Sequence, residues 1–446
     1  MNIRDDIIIR NAWICQVRQP SIEPIFGELR LGDGKIQALI RSDFRIPLQR
    51  HSEPEYGVYD AKGRVITVPL INFHDHFYSR LAKGLPIRAA IDKFYDKLQH
   101  LWWQADRAMD MDLIQASAIA GSLDSIRQGV TYVFDHHASP LVPRDSLFRI
   151  KEVLDHYGLR GVLAFETSDR NGPELAQLGL DEFSHFIQHY STSEVKAMLG
   201  LHASFTLEDI TLQRAGELLK QYDAGIHIHL CEDPIDRSMS AEKYHELPVD
   251  RLKKFHLLNS KSILAHGIHL TAADYATIAA AGSAIAYNLD SNLNNAVGLP
   301  AFHRAPAEIP ILVGTDGMHA NVARSLKQLF LLFRHQGNAV EATFTWFQKC
   351  FFDQLQFVRH YFPDFPSLNP GDRADLIIWD YIPPSPISSE NFWAHFIYGM
   401  LEAPIHSVIQ QGRFLMKDKM IAHEEEDRRK CSLQGERLFE RFGAAA

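Results

Sequence analysis

The chain has 446 residues, 46% hydrophobic and 23% charged, which suffices for a large core and for a barrel of roughly 250 residues with an accessory domain. Its 46 basic and 55 acidic residues leave a net charge of −9, which argues against general binding to nucleic acid or anionic membranes. No apolar run reaches the ~20 residues of a membrane helix, the N-terminus lacks a signal-peptide core, and the four cysteines form no C-x-x-C pair. A cytoplasmic protein without a disulfide framework is expected.

In chain order, residues 1–64 carry DDIIIRNAWICQ, GELRLGDGKIQALI and VYDAKGRV, which read as short strands separated by turn signals. The run VITVPLINFHDH follows. Its His74 and His76 lie two apart, so a strand would aim both imidazoles at one point, as half of a metal site. The long segment 77–129 has helical periodicity and suits a lid or an oligomer contact, with Trp102 and Trp103 read as core packing.

Seven more apolar runs ending in polar residues come next: TYVFDHHAS, RGVLAFETSD, VKAMLGLHASFT, AGIHIHLCED, KSILAHGIHL, SAIAYNLDSN and IPILVGTDG. Helical stretches separate most of them. Continuous apolar strands alternating with helices indicate a parallel sheet, and eight such units predict an α/β fold built on a (β/α)8 TIM-type barrel over residues 65–367. After residue 368, RADLIIWDY and IHSVIQQGRFLMKDKMIA again read as strands. Residues 1–64 and 368–446 are therefore expected to meet in a small β-sandwich, with a solvated helix after Ala422.

In such a barrel the strand ends carry the active site. That rule places His229 and Glu232 at the fifth strand, His266 at the sixth and Asp316 at the eighth, on the same rim as His74 and His76. Imidazoles and a carboxylate gathered there match the ligand preferences of a divalent metal, Zn²⁺ or Fe²⁺. Glu166, Asp169 and Arg170 after the third strand and Ser291 and Asn292 after the seventh are candidate substrate contacts. His136 and His137 are expected to face solvent. Cys231, opposite to Glu232 in the strand alternation, is expected in the core.

These motifs resemble the amidohydrolase superfamily over essentially the whole chain, within its branch of adenosine, guanine, cytosine and triazine deaminases and chlorohydrolases. FYSRLAKGL, VFDHHASP, FETSDRNG, GLHASFTL, SNLNNAVG and ADLIIWDYIPPSP are similar to aminohydrolases encoded near selenium-metabolism genes. The resemblance implies His74, His76, His229 and Asp316 as ligands of one divalent metal per chain, Zn²⁺ before Fe²⁺. It implies Glu232 as the proton-shuttling carboxylate, His266 as the contact to water or substrate, Asp316 as acceptor of the water proton, and His202 as a substrate contact. No lysine ends the fourth strand, where two-metal relatives carry one, so a single-metal site follows. Two departures stand out: Asp75 at the centre of the first motif, directed away from the metal, and Tyr287 and Leu289 where relatives have His and Pro, expected to alter the pocket floor.

The implied activity is hydrolytic deamination of a small nitrogen heterocycle by a homo-oligomer, with ring opening of a cyclic amide or dechlorination as alternatives on the same ligands. A non-catalytic relative would be expected to have lost some of these ligands.

Overall fold

The computed structural model describes residues 6–43 and 57–444, which group into two compact units. The first comprises residues 1–71, 125–131 and 321–422, the second residues 72–124, 132–320 and 423–446.

In the first unit, strands from both ends of the chain join one eight-stranded sheet. Ile7–Arg18 and Ser21–Gly32 pair antiparallel over their length, and Lys35–Arg41 follows. The predicted Gly-Asp-Gly turn connects the last two, with Asp33 and Gly34 at φ 51° and 74°, the double positive φ that a two-residue hairpin of matching twist requires. The short strand Val65–Thr67 joins the two ends of the chain. It runs parallel to Ile7–Arg18 on one side and antiparallel to Leu376–Trp379 on the other, and Ile405–Gln410 and Arg413–Met416 extend that edge. The expected sandwich is thus one hydrogen-bonded sheet, because a single strand serves both termini.

The eight apolar runs form parallel strands in two sheets. The first holds Leu70–Asp75, Val130–His137, Arg160–Phe165 and Val195–Ala197. The second holds Leu199–Ala203, Ile226–Leu230, Ile263–His266, Ala284–Tyr287 and Ile311–Val313. Met198 alone interrupts what is otherwise one fourth strand. Apolar residues fill these strands and are buried, as strands covered on both faces require. Single parallel bridges link the sheets at both edges, Thr167 with Leu201 and Asp75 with Asp316. At the second bridge the backbone N–H groups of Thr315 and Asp316 both donate to the His74 carbonyl, at 3.0 and 2.9 Å.

Two boundaries differ from the sequence reading. The helices Val322–His335 and Val340–Val358 group with the first unit. The terminal helix Glu424–Ala444 groups with the second, and it is a packed element rather than a solvated tail: Tyr157 donates to Asp427 (2.7 Å), and Cys431 is buried against Ala116 and Ala120. No helix among the described residues is long and apolar enough to cross a membrane.

Candidate active site and metal centre

His74 and His76 end the first parallel strand, and alternation turns both toward the strand ends. His76 Nδ1 donates to the His136 carbonyl (2.6 Å), and His229 Nδ1 donates to the His202 carbonyl (2.9 Å). A carbonyl only accepts, so each ring carries a hydrogen on Nδ1 and turns into the site its Nε2, the nitrogen that is bare in the neutral ring. Those two nitrogens stand 3.1 Å apart.

Asp316 Oδ1 lies 3.0 Å from His76 Nε2 and 3.8 Å from His74 Nε2, and the latter atom is buried with no hydrogen-bond partner. These separations surround the about 3.4 Å expected between ligand atoms held tetrahedrally at ~2.1 Å. Lone pairs and a carboxylate this close repel one another unless a cation lies among them. Burial lowers the His76 pKa, but Asp316 pulls it up to about 9, the same demand for positive charge expressed as proton affinity. His74, His76, His229 and Asp316 therefore form a group fit to hold a metal ion.

His227, two residues before His229, shares its side of the strand. For His74 to present Nε2, its hydrogen must sit on Nδ1, where His227 Nε2 lies at 2.8 Å. His227 is thus a buried acceptor that sets the His74 tautomer, as partners behind metal ligands commonly do.

His266 ends the sixth strand with φ 74°, Asp316 follows the eighth with φ 54°, and Cys231 follows the fifth with φ 49°. Left-handed backbone at a non-glycine residue is strained and collects at functional sites; here it re-aims the side chains beyond each strand. Cys231 is fully buried, as expected. Asn292 Nδ2 donates to His266 Nδ1 (2.8 Å), which leaves His266 Nε2 facing Glu232 Oε2 at 3.5 Å. Burial, then the nearby Asp316 and Asp236 carboxylates, push Glu232 well above the usual carboxyl range and favour its protonated form. Burial also acts to raise Asp316, but the His76 hydrogen bond and the surrounding imidazoles hold it well below. Two carboxyls in one site are thus displaced in opposite directions.

Asn295 connects them. Its Nδ2 donates to Glu232 Oε1 and to Ser291 Oγ, both at 3.2 Å, and Ser291 Oγ donates to Asp316 Oδ2 (2.5 Å). Lys97 Nζ donates to Asn295 Oδ1 (2.6 Å), which fixes the orientation of the amide.

His76, His229, Glu232, Asp316, Ser291, Asn295 and Lys97 border one cavity. His202, Glu166 and Ser291 line it, as the sequence suggests, whereas Arg170 and Asn292 do not. Arg170 lies behind the wall and pairs with Asp106 and with Glu166 (3.0 Å); Asn292 orients His266. Asp169 accepts from the Glu208 N–H and the Thr211 hydroxyl, a loop-holding role. Burial acts to raise Glu166, but His202, the His136 hydrogen bond and Arg170 hold it well below the usual range. Burial pushes Asp106 up to about 7, against the pull of Arg170. His136 and Glu166 also approach His76 and His229 closely enough to form an overlapping donor group.

Three expectations change. Trp102 and Trp103 line the cavity, because the stretch Phe94–Arg107, helical throughout with a π-helical middle at Leu98–Trp102, turns them inward. His136 and His137 are buried, since the second strand runs on through both. Tyr287 and Leu289 are fully buried and lie outside the cavity wall, so they do not form its floor. Lys97, Asp106, His227 and Asn295 were not singled out from the sequence. Only spacing hinted at two of them: Asn295 stands four residues after Ser291 on one helix, and His227 two before His229.

A model described as the amidohydrolase family matches residues 65–415. The 5-methylthioadenosine/S-adenosylhomocysteine deaminase of Desulforudis audaxviator is 24% identical over 430 residues, covering 94% of this chain and 96% of its own. The 5'-deoxyadenosine deaminase of Methanococcus vannielii is 24% identical over 399 residues, covering 87% of this chain and 92% of its own. The crystal structure of a zinc-bound adenosine deaminase from Xanthomonas campestris superposes with a TM-score of 0.80 at 18% identity, covering 98% of this chain and 99% of that one, and so shares the fold.

Proposed function

The chain belongs to the amidohydrolase family, a hydrolase of carbon–nitrogen bonds other than peptide bonds, and on that premise we propose that it removes an exocyclic amine from a nitrogen heterocycle by hydrolysis. The observation that carries this reading is the donor group fit for a metal with Glu232 and His266 gathered beside it, the two carboxyls there being displaced in opposite directions, Glu232 raised and Asp316 lowered. Proton-transfer chemistry needs one group of each kind. The relatives named for adenine nucleosides support the substrate class.

On this reading the eight parallel strands close into a (β/α)8 barrel, supported by the bridges at both sheet edges. One divalent ion per chain would be held by His74, His76, His229 and Asp316, and the nitrogen-rich donor set at tetrahedral spacing favours Zn²⁺. When bound, the ion supplies the Lewis acidity that makes water a nucleophile near neutral pH.

The protein's own groups do the rest. Asp316, ionised and steadied by Ser291, accepts the proton of the attacking water. His266 Nε2–H orients the nucleophile toward the ring carbon. Glu232 delivers its proton to the adjacent ring nitrogen as the new carbon–oxygen bond forms, and a proton then passes to the amine as the carbon–nitrogen bond breaks and ammonia leaves. Asp106, Glu166 and His202 on the opposite wall hold the substrate. The Lys97–Asn295 contact keeps the Glu232 carboxyl in register.

The test is ammonia release from a panel of aminated purines, pyrimidines and triazines, with metal content counted on the same preparation. Release that scales with one metal per chain is expected. Metal-loaded protein that opens a cyclic amide, or releases halide, without ever releasing ammonia would overturn the reading.

A further inference from the structure

Resting on the deaminase reading, we propose that Trp103 and Asp106 read a lactam edge, a ring N–H beside a ring carbonyl, so that the substrate is an oxo-substituted heterocycle. The short helix Trp103–Arg107 places these two residues three apart, as neighbours on one helical face, and both line the cavity. Each holds a buried polar atom with no partner, the indole Nε1–H of Trp103 and the carboxylate Oδ1 of Asp106. One can only donate. The other, on an ionised carboxylate, can only accept.

Neither group is free to turn away and satisfy itself. Asp106 Oδ2 is held by the Arg170 guanidinium, which also donates to Glu166 Oε1 (3.0 Å). The same guanidinium lies 5.4 Å from the centroid of the Trp103 ring, within the range of a cation–π contact. Arg170 is thus a positioning residue that fixes donor and acceptor together. Asp106 is 1% exposed, so solvent does not compensate it. A buried donor or acceptor left unpaired is costly, and a ligand that complements it recovers that cost.

A lactam answers both groups at once: its carbonyl accepts from Trp103 and its N–H donates to Asp106. The ring of an adenine nucleoside, substituted at its imidazole nitrogen, offers only acceptor nitrogens along its edge, and its amine is committed to the reacting end beside Glu232. It would leave Asp106 unpaired. Sites built around a hydrogen bond discriminate strongly against an analogue that lacks it. The apolar side chains of Phe94, Leu98 and Trp102 on the same stretch provide the flat walls that either ring would use, so they do not select between them.

The experiment measures binding of matched ring pairs to metal-loaded protein at about pH 8, where an acid near neutrality is mostly ionised. Hypoxanthine is compared with purine, and 4-pyrimidinone with pyrimidine. None of these carries an exocyclic amine, so the result is independent of turnover. At least one lactam should bind ~ten-fold or more tightly than its partner, the equivalent of one recovered hydrogen bond. Trp103→Phe and Asp106→Asn should each reduce that preference, read as the ratio of the two affinities, several-fold. No lactam preference in the unaltered protein, or a preference that survives both substitutions, would overturn the inference. A lactam preference in a metal-loaded protein that releases no ammonia from any aminated ring of the panel would preserve the inference and sink the deaminase reading.

Discussion

The imidazoles of His76 and His229 are aimed by backbone carbonyls of neighbouring strands, and each carries its hydrogen on the outer nitrogen. Glu232 and Asp316 are then displaced in opposite directions, because one is held by burial among other acids and the other by imidazoles. Glu232→Gln should keep metal content near that of the unaltered protein and lower turnover by about 10²- to 10⁴-fold, the usual contribution of a positioned acid or base. Metal counting on the same sample separates this outcome from loss of the site. Asp316→Asn should lose turnover and weaken metal retention together, because the same carboxylate is both ligand and proton acceptor.

His137 makes a pH prediction. Burial holds it at about 3 against about 6.5 in the unfolded chain. Between those values the unfolded state binds more protons, so stability rises with pH through that window and is lost as the pH falls toward 3. His137→Gln should flatten the stability difference measured by denaturant titration at pH 4 and pH 6.5, by on the order of 1.4 kcal/mol per pH unit.

Much at this scale was legible, since the strand ends point to His74, His76, His229, Glu232, His266 and Asp316, and the family resemblance implies which of them are metal ligands. The setting of each ring was not. It depends on which carbonyl a neighbouring strand presents, and on His227, which looks from the sequence like a spare copy of His229.

Among the elements, the first parallel strand is held at its end by an ion pair the sequence reading set aside. Asp75 does point away from the ligands, as alternation requires. Yet it accepts from Arg80 (2.5 Å), from Asn72 (2.8 Å) and from the His76 backbone N–H (2.7 Å), and both charged side chains are fully buried. Removing one partner of such a pair strands the other charge, so Asp75→Asn should cost about 3–5 kcal/mol, read by denaturant titration. A cost below about 1 kcal/mol would mean that Arg80 finds another partner.

The Phe94–Arg107 stretch shows the limit of periodicity. Its pattern marks a helix correctly, but the π-helical turn at Leu98–Trp102 rotates the register in its middle. That is how two tryptophans read as core come to border the cavity. Such bulges often occur where function requires a side chain to be re-aimed.

At the scale of the whole molecule, the order of eight apolar runs was readable because strands buried on both faces leave a continuous signal. The single sheet formed by both termini was less so, since pairing between residues more than 300 positions apart leaves no local trace. A metal held as proposed would bind side chains from the first, fifth and eighth parallel strands, and so bridge elements that only the folded state brings together. Ion present at 100 times its dissociation constant should add about 2.7 kcal/mol to stability. Chelation should therefore lower the melting temperature, and readdition restore it; an unchanged melting temperature would show that the ion is not held by these strands.

The bridge between Asp75 and Asp316 also bears on the order of events during synthesis. Two imidazoles of the donor group leave the ribosome early, and the carboxylate follows some 240 residues later. At ribosomal rates of roughly 5–20 residues per second, that interval lasts on the order of ten seconds or more. Through it the nascent chain holds an incomplete set of ligands. Capture of an ion at full affinity by the proposed donor group would wait for the eighth strand, which would make metallation report that the first, fifth and eighth parallel strands have come together.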